Sequence, residues 1–189
     1  LAVGAAAMAD LVEAQAPAAT RALRTIPHAT TTVVTLAYRH AAFGSVPTTQ
    51  GWLEAGEAPI SGVTISSNKW AGRAPEGVVL LRAFVPQRRG PLAMAPDDEI
   101  LRVVTAHVAS VLGISGQPTL TRVTRWAHAM PTYTVGHLDR VAAVEASVAG
   151  VPGWHVAGSA LHGVGVPECI ADGRGVARDV VAGIGSASG

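Results

Sequence analysis

Residues 154–173 read Trp154-His-Val-Ala-Gly-Ser-Ala-Leu-His-Gly-Val-Gly-Val-Pro-Glu-Cys-Ile-Ala-Asp-Gly173 and have the pattern of a strand, a glycine loop and a helix. Trp154 to Ala157 is predicted to be a short buried strand. The helix is predicted to begin at Pro167, because proline lacks the N–H group that would be unpaired at a first helical position. This segment is the strongest chemical signal in the chain.

The loop carries three glycines, Gly158, Gly163 and Gly165. Without Cβ atoms, its backbone N–H groups can approach a ligand closely. The free N–H groups around Val164 to Val166, together with the helix dipole, would then form a site for negative charge. A tight turn filled by glycine for packing alone is the alternative, and the spacing does not decide between them.

The loop is not a dinucleotide-binding fingerprint. Glu168 stands where the third glycine of that motif belongs, and Gly183-x-Gly185 has no helix left to open, since Gly183 to Gly189 is predicted to be a flexible end. The residues of this chain are therefore not expected to hold a pyrophosphate in the Rossmann manner.

Patterning upstream predicts a mixture of helices and strands. An apolar helical stripe that includes Met8, Leu11 and Val12 is expected to be interrupted at Pro17. The strongest helix follows Pro96, with an acidic first turn and Gly113 at its end. The predicted helices cover residues 6–24, 97–112, 138–149 and 167 onward, and the predicted strands 31–38, 60–67, 78–85, 119–126 and 154–157.

Composition excludes several classes of function. Hydrophobic residues make up 49% of the 189 residues and charged residues 14%, enough for a sizeable core in one domain or two small ones. The net charge of +1 lacks the excess of basic residues that is typical of nucleic-acid-binding proteins. No stretch approaches the roughly 20 apolar residues of a membrane-spanning helix. Because the chain begins with Leu and an apolar segment, we expect it to be cut from a longer polypeptide, with no signal peptide here.

Other chemistries find little support in the sequence. The seven histidines have no partner at helical spacing and no nearby cysteine, so no metal site is expected. Ser159 lies outside a Gly-x-Ser-x-Gly elbow. The single Cys169 favours a reducing compartment and the role of a small buried hydrophobe, although a thiolate would be favoured on a first helical turn. Trp126 is either core or the border of a flat aromatic ligand.

Two segments, Thr121 to Arg140 and Ala157 to Arg174, closely resemble the carboxy-terminal signature of the protoporphyrinogen oxidase family, FAD-dependent relatives of amine oxidases and phytoene desaturases. Trp70 to Arg82 is similar to the family's substrate-domain hairpin. The composition resembles the bacterial branch, which is thought to act on coproporphyrinogen III. Thr132, the pair Leu161-His162 and Glu168 depart from the usual motif.

The resemblance implies a fold of the α/β class with α+β elements. Residues 1–118 would belong to a partial substrate-binding domain with a mixed or antiparallel sheet, and residues 119–189 to the carboxy-terminal part of a Rossmann-like FAD-binding domain. It further implies that porphyrinogen is oxidised with O2 as acceptor. FAD would contact Trp126, Val164, Gly165 and Val166, with Gly158 and Gly163 shaping the loop, while Tyr133 and His137 support it. No catalytic residue is implied.

The amino-terminal half that carries the family's phosphate loop is not in these 189 residues. We therefore expect the chain alone to bind no FAD tightly and to be inactive, with that half as its partner. The alternatives are a non-catalytic truncated or porphyrin-binding fragment, or another flavoenzyme of the amine oxidase superfamily. A cytoplasmic location is expected, while peripheral membrane association and self-association stay open.

Overall fold

The computed structural model of the protein describes residues 1–187, apart from the side chains at positions 89 and 185–187. The chain divides into two compact units. Unit 1 comprises Leu1–His28 and Ala129–Gly189, and unit 2 comprises Ala29–His128. These limits differ from the boundary at 118/119 drawn from the sequence. The assignment of the two parts of the sequence to a substrate domain and a FAD-binding domain stays a prediction.

The strands of the described residues are β1 (His28–Arg39), β2 (Gly51–Leu53), β3 (Gly62–Ile65), β4 (Val78–Pro86) and β5 (Leu120–Pro131). They form one sheet in the order β2-β3-β4-β1-β5. β1 pairs antiparallel with β4, as does β3 with both β4 and β2. The sequence pattern predicted β1, β3, β4 and β5, although β3 ends at Ile65 and continues as a single helical turn, α3 (Ser66–Lys69). β2 lies within residues 41–59, which were predicted to be a loop with room for one short strand.

The core of unit 2 lies between the sheet and α4 (Asp97–Leu112). Ile100, Val104 and Val108 of this helix are fully buried and share one cluster with alternate residues of β1 and β4. Gly113 ends the helix in the left-handed conformation at φ 61°, as predicted. The helical spacing of apolar residues also predicts that Val111 is buried with Ile100, Val104 and Val108, but Val111 is 49% exposed.

Unit 1 contains the remaining helices: α1 (Ala5–Val12), α2 (Pro17–Arg24), α5 (His137–Ala149) and α6 (Val166–Ala187). Its core is built from apolar faces of α1, α2 and α5. The predicted interruption at Pro17 is confirmed, since α2 begins there. Leu11 is exposed, contrary to its predicted place in the stripe.

The buried face of α5 consists of His137, Val141, Val144 and Val148. The apolar pattern of the predicted helix 138–149 places Leu138 inward with Val141, Val144 and Val148, but Leu138 is 80% exposed. The helix begins one residue earlier than predicted, and the buried positions at i, i+4, i+7 and i+11 leave Leu138 outside the stripe. At the start of α5, the imidazole of His137 is therefore buried where the side chain of Leu138 was expected.

The helix α6 is longer than predicted. Residues 183–187, expected to be flexible, lie in its last turns, while the other two residues of that predicted end, 188 and 189, lie outside the described residues. None of the described helices combines the length and apolar character that a membrane crossing requires.

Candidate functional site

The segment from Trp154 to Ala157 leads into the glycine loop of unit 1. Val156 and Ala157 are buried, as predicted. The N–H of Ala157 donates to Leu1 O at 2.9 Å, and the Leu1 amino group donates to His155 O at 2.6 Å. Apart from these two hydrogen bonds to Leu1, the segment makes no strand-type backbone pairing within the described residues. The prediction of a strand is therefore wrong, because a single pair does not make a ladder.

The loop backbone requires glycine at several positions. Gly158 has φ +127° and Gly163 has φ +150°, conformations that residues with a side chain rarely adopt. A Cβ at Gly163 would lie 2.5 Å from Glu168 Cβ, and a Cβ at Gly165 would collide with the Glu168 carboxylate. The packing of Glu168 therefore accounts for Gly163 and Gly165 without a ligand.

The start of α6 offers unpaired hydrogen-bond donors. The helix begins at Val166, one residue before the predicted start, and Cys169 N–H donates to Gly165 O at 3.0 Å. Among the described residues, none accepts a hydrogen bond from the N–H groups of Val164, Gly165 or Val166. Val164 is 51% and Val166 72% exposed. These donors are available to an acceptor outside the chain, and the helix dipole favours a negatively charged one.

Tyr133 and His137 brace the first half of the loop. The Tyr133 hydroxyl donates to Ser159 O at 2.6 Å, and His137 Nε2 donates to Leu161 O at 2.9 Å. Burial raises the pKa of Tyr133 above its ordinary value, so the hydroxyl stays a donor throughout the neutral range. These contacts agree with the supporting role implied for the two residues, and neither contact makes them catalytic.

One cluster at the loop was missed by sequence reasoning. Glu145 and Asp172 both contact the ring of His162. In the sequence, His162 stood out only as part of a departure from the family motif. Asp172 lies three residues after Cys169 on α6, and Cys169 Sγ contacts Gly163 O at 3.4 Å. No spacing along the sequence signals this cluster, because Glu145, His162 and Asp172 come from three different segments.

The remaining residues singled out in the sequence are Trp126 and Cys169. Trp126 belongs to β5 in unit 2 and is 54% exposed, whereas the predicted loop residues belong to unit 1. Its place at a cofactor stays a prediction. Cys169 is a half-buried free thiol. A search of the described residues finds no group of His, Cys, Asp and Glu side chains able to hold a metal ion.

The family model described as flavin containing amine oxidoreductase matches residues 1–181. The chain belongs to this family. It is 56% identical to the coproporphyrinogen III oxidase of Propionibacterium freudenreichii over 96% of this chain and 34% of that protein. It is 40% identical to the coproporphyrinogen III oxidase of Mycobacterium bovis over 93% of this chain and 38% of that protein. The chain thus spans little more than a third of these curated relatives.

A solved structure supports the fold. The crystal structure of a protein from Exiguobacterium sp. 255-15, named for protoporphyrinogen oxidase, superposes with a TM-score of 0.77 at 25% identity, covering 95% of this chain and 40% of that one. The predicted mixed α/β class with an antiparallel sheet is confirmed. So is the resemblance to the oxidase family's carboxy-terminal part.

The loop can be tested against the flavin that the family carries. The unpaired N–H groups of Val164, Gly165 and Val166 suit the electron-rich edge of a flavin, because they present donors at a helix N-terminus. The Glu168 carboxylate beside Gly165 would have to turn away from that edge, which a flexible, exposed side chain permits. The residues therefore fit the group.

Proposed function

We propose that this chain is the carboxy-terminal part of a FAD-dependent porphyrinogen oxidase of haem biosynthesis that converts coproporphyrinogen III to the porphyrin with O2 as acceptor. Protoporphyrinogen IX is the second candidate substrate. The observation that carries the proposal is the 56% identity to a coproporphyrinogen III oxidase over 96% of the chain. The activity belongs to the whole polypeptide, since the chain spans 34% of that relative.

The chain's own residues would bind and orient the cofactor. A bound flavin supplies two-electron oxidation, a chemistry that proteins position and tune through hydrogen bonds and local charge. Val164, Gly165 and Val166 would donate their N–H groups to its electron-rich edge, an interaction of about 0.3–2 kcal/mol for a charge at a helix N-terminus. Gly158 and Gly163 would shape the loop, and Trp126 would pack against the ring system.

The remaining parts of the proposal concern partners and location. The partner is the amino-terminal FAD-binding half, whose phosphate loop has no counterpart among these 189 residues. We propose a cytoplasmic location, which the single cysteine supports because disulfide-bonded proteins belong to oxidising compartments. Peripheral membrane contact and self-association are further possibilities for the whole protein.

Complementation of two halves tests the proposal. The chain is expressed alone and together with the amino-terminal half of a coproporphyrinogen III oxidase, and flavin absorbance and porphyrin fluorescence are measured. We expect no near-stoichiometric FAD and no porphyrin formation with the chain alone, and both with the two halves. A chain that binds FAD stoichiometrically by itself would contradict the first expectation.

Substrate choice separates the alternatives. Coproporphyrinogen III, protoporphyrinogen IX and a set of primary amines are offered to the assembled protein, and peroxide formation is followed. Turnover of amines without turnover of porphyrinogens would place the chain in another branch of the amine oxidase superfamily. A correctly assembled, FAD-loaded protein that oxidises none of them would favour the non-catalytic alternative.

A further inference from the structure

Three ionisable side chains from three segments of unit 1 meet beside the glycine loop. His162, in the loop, lies between Glu145 of α5 and Asp172 of α6. Its Nδ1 is 2.7 Å from Asp172 Oδ1, and its Nε2 is 3.0 Å from Glu145 Oε1. The side chain of Asp172 is only 9% exposed, against 39% for His162 and 49% for Glu145.

Asp172 uses both of its carboxylate oxygens on the loop. Oδ2 accepts the N–H of Gly158, the first residue of the loop, at 2.7 Å, while Oδ1 faces His162. A carboxylate this deeply buried needs hydrogen-bond partners to offset the loss of water, and the loop supplies them. One side chain thus ties the beginning of the loop to its middle.

Both ring nitrogens of His162 lie within hydrogen-bond distance of a carboxylate oxygen. His162 thereby links α5 to α6, and a hydrogen bond to an ionised carboxylate is stronger than one between neutral groups. The loop needs such a tether, since its glycines have little conformational preference of their own.

We propose that Asp172 and His162 are positioning residues that hold the glycine loop in the conformation that presents the N–H groups of Val164, Gly165 and Val166. Glu145 anchors His162 from the other side. Asp172, His162 and Glu145 together are called the clamp. Its existence follows from the contacts within unit 1, and only its purpose, presenting donors to a flavin, rests on the proposed function.

Hydrogen exchange in the 189-residue chain tests the clamp. In Asp172→Ala, the amide exchange of Gly158 should become about tenfold faster or more, because a hydrogen bond to a charged acceptor is lost. Asp172→Asn should restore most of the protection, since its Oδ1 still accepts from the N–H of Gly158. Asp179→Ala is the matched control, an exposed aspartate two turns further along α6.

The outcomes decide the proposal. Exchange at Gly158 within twofold of the Asp179→Ala control would overturn it, and so would a failure of Asp172→Asn to restore protection. If Asp172→Ala does not fold, His162→Ala provides the second variant. It should speed exchange of the Leu161 amide, which donates to Gly158 O at 3.0 Å, and unchanged exchange there would equally overturn the clamp.

A second readout separates the clamp from the proposed function. In the assembled two-half oxidase, Asp172→Ala should lower the reduction potential of the bound flavin, whereas Asp172→Asn and Asp179→Ala should leave it unchanged. Altered exchange with an unaltered potential would keep the clamp and refute the flavin contact of the loop. Unaltered exchange would refute the clamp whatever the flavin does.

Discussion

The phenol ring of Tyr133 lies flat on the imidazole of His137, with ring centroids 3.8 Å apart and an interplanar angle of 13°. Each ring also reaches the glycine loop, Tyr133 through Ser159 O and His137 through Leu161 O. The stacked pair therefore couples the segment before α5 to the loop before α6. The stability of the loop should depend on both rings.

Replacing Tyr133 separates its hydrogen bond from its ring. Tyr133→Phe keeps the stack and loses the bond to Ser159 O, which should lower the free energy of unfolding by about 1 kcal/mol. Tyr133→Ala also loses the stack and should cost about 1 kcal/mol more. Urea denaturation of both variants checks this. Equal losses for Phe and Ala would mean that the ring contact contributes nothing.

Substitutions of His137 test whether a donor must lie at the position of Nε2. His137 is buried, and its Nε2 donates to Leu161 O while its Nδ1 has no hydrogen-bond partner among the described residues. Gln can place a donor near the position of Nε2 and Asn cannot. His137→Asn should therefore cost about 1–3 kcal/mol of unfolding free energy and His137→Gln clearly less. Thermal and urea unfolding measure the difference, and an identical loss in both would refute the role of Nε2.

Two of the three loop glycines, Gly163 and Gly165, should respond differently to alanine. Gly163→Ala introduces a Cβ at φ +150°, 2.5 Å from Glu168 Cβ, and should cost about 1–3 kcal/mol. At Gly165 the Cβ meets only the end of the Glu168 side chain, so Gly165→Ala should cost less.

Glu168→Ala tests the cause of that difference. It should relieve most of the cost of Gly165→Ala and little of the cost of Gly163→Ala, because the strained φ of Gly163 stays. Gly175→Ala, in open space on α6, is the control and should be neutral or stabilising by up to about 1 kcal/mol. A full rescue of Gly163→Ala would show that backbone strain is unimportant there.

Alkaline pH should destabilise unit 2 through Tyr38. This side chain is fully buried in β1, its hydroxyl has no partner among the described residues, and burial raises its pKa above the ordinary value of about 10. The neutral phenol is the favoured folded form. Its stabilising effect is therefore complete below pH about 10 and is lost as the pH rises through the folded-state pKa.

Tyr38→Phe is the variant that checks this pH dependence. It should flatten the alkaline decline in unfolding free energy and should leave stability at neutral pH unchanged or raised by up to about 1 kcal/mol, because an unsatisfied buried hydroxyl is removed. The edge contact with Phe43 does not need the hydroxyl. Denaturation at neutral and alkaline pH compares the two proteins, and an unchanged alkaline decline in the variant would refute the prediction.

Several elements could be predicted from local pattern because their causes are local. Pro17 opens α2, Gly113 ends α4, and the β-branched run of β1 forms a strand, each for a reason that acts within a few residues. The glycine loop and the start of α6 were also placed to within one residue. The resemblance of two motifs then pointed to the family that the comparisons show.

Other features depended on partners distant along the chain. The helical stripe of α5 could not reveal that His137 rather than Leu138 is buried, because the choice depends on Leu161 O, 24 residues away. Nor could spacing reveal the link between Glu145, His162 and Asp172, which come from three different segments.

Local chemistry along the chain thus settles where several of the helices, strands and turns occur here, because backbone sterics and periodic apolar faces act over short range. Folding in three dimensions decides which side chains become partners. It seats Glu168 against two glycines and buries Asp172 beside a histidine, since desolvation and hydrogen bonding depend on neighbours that only the packed chain brings together.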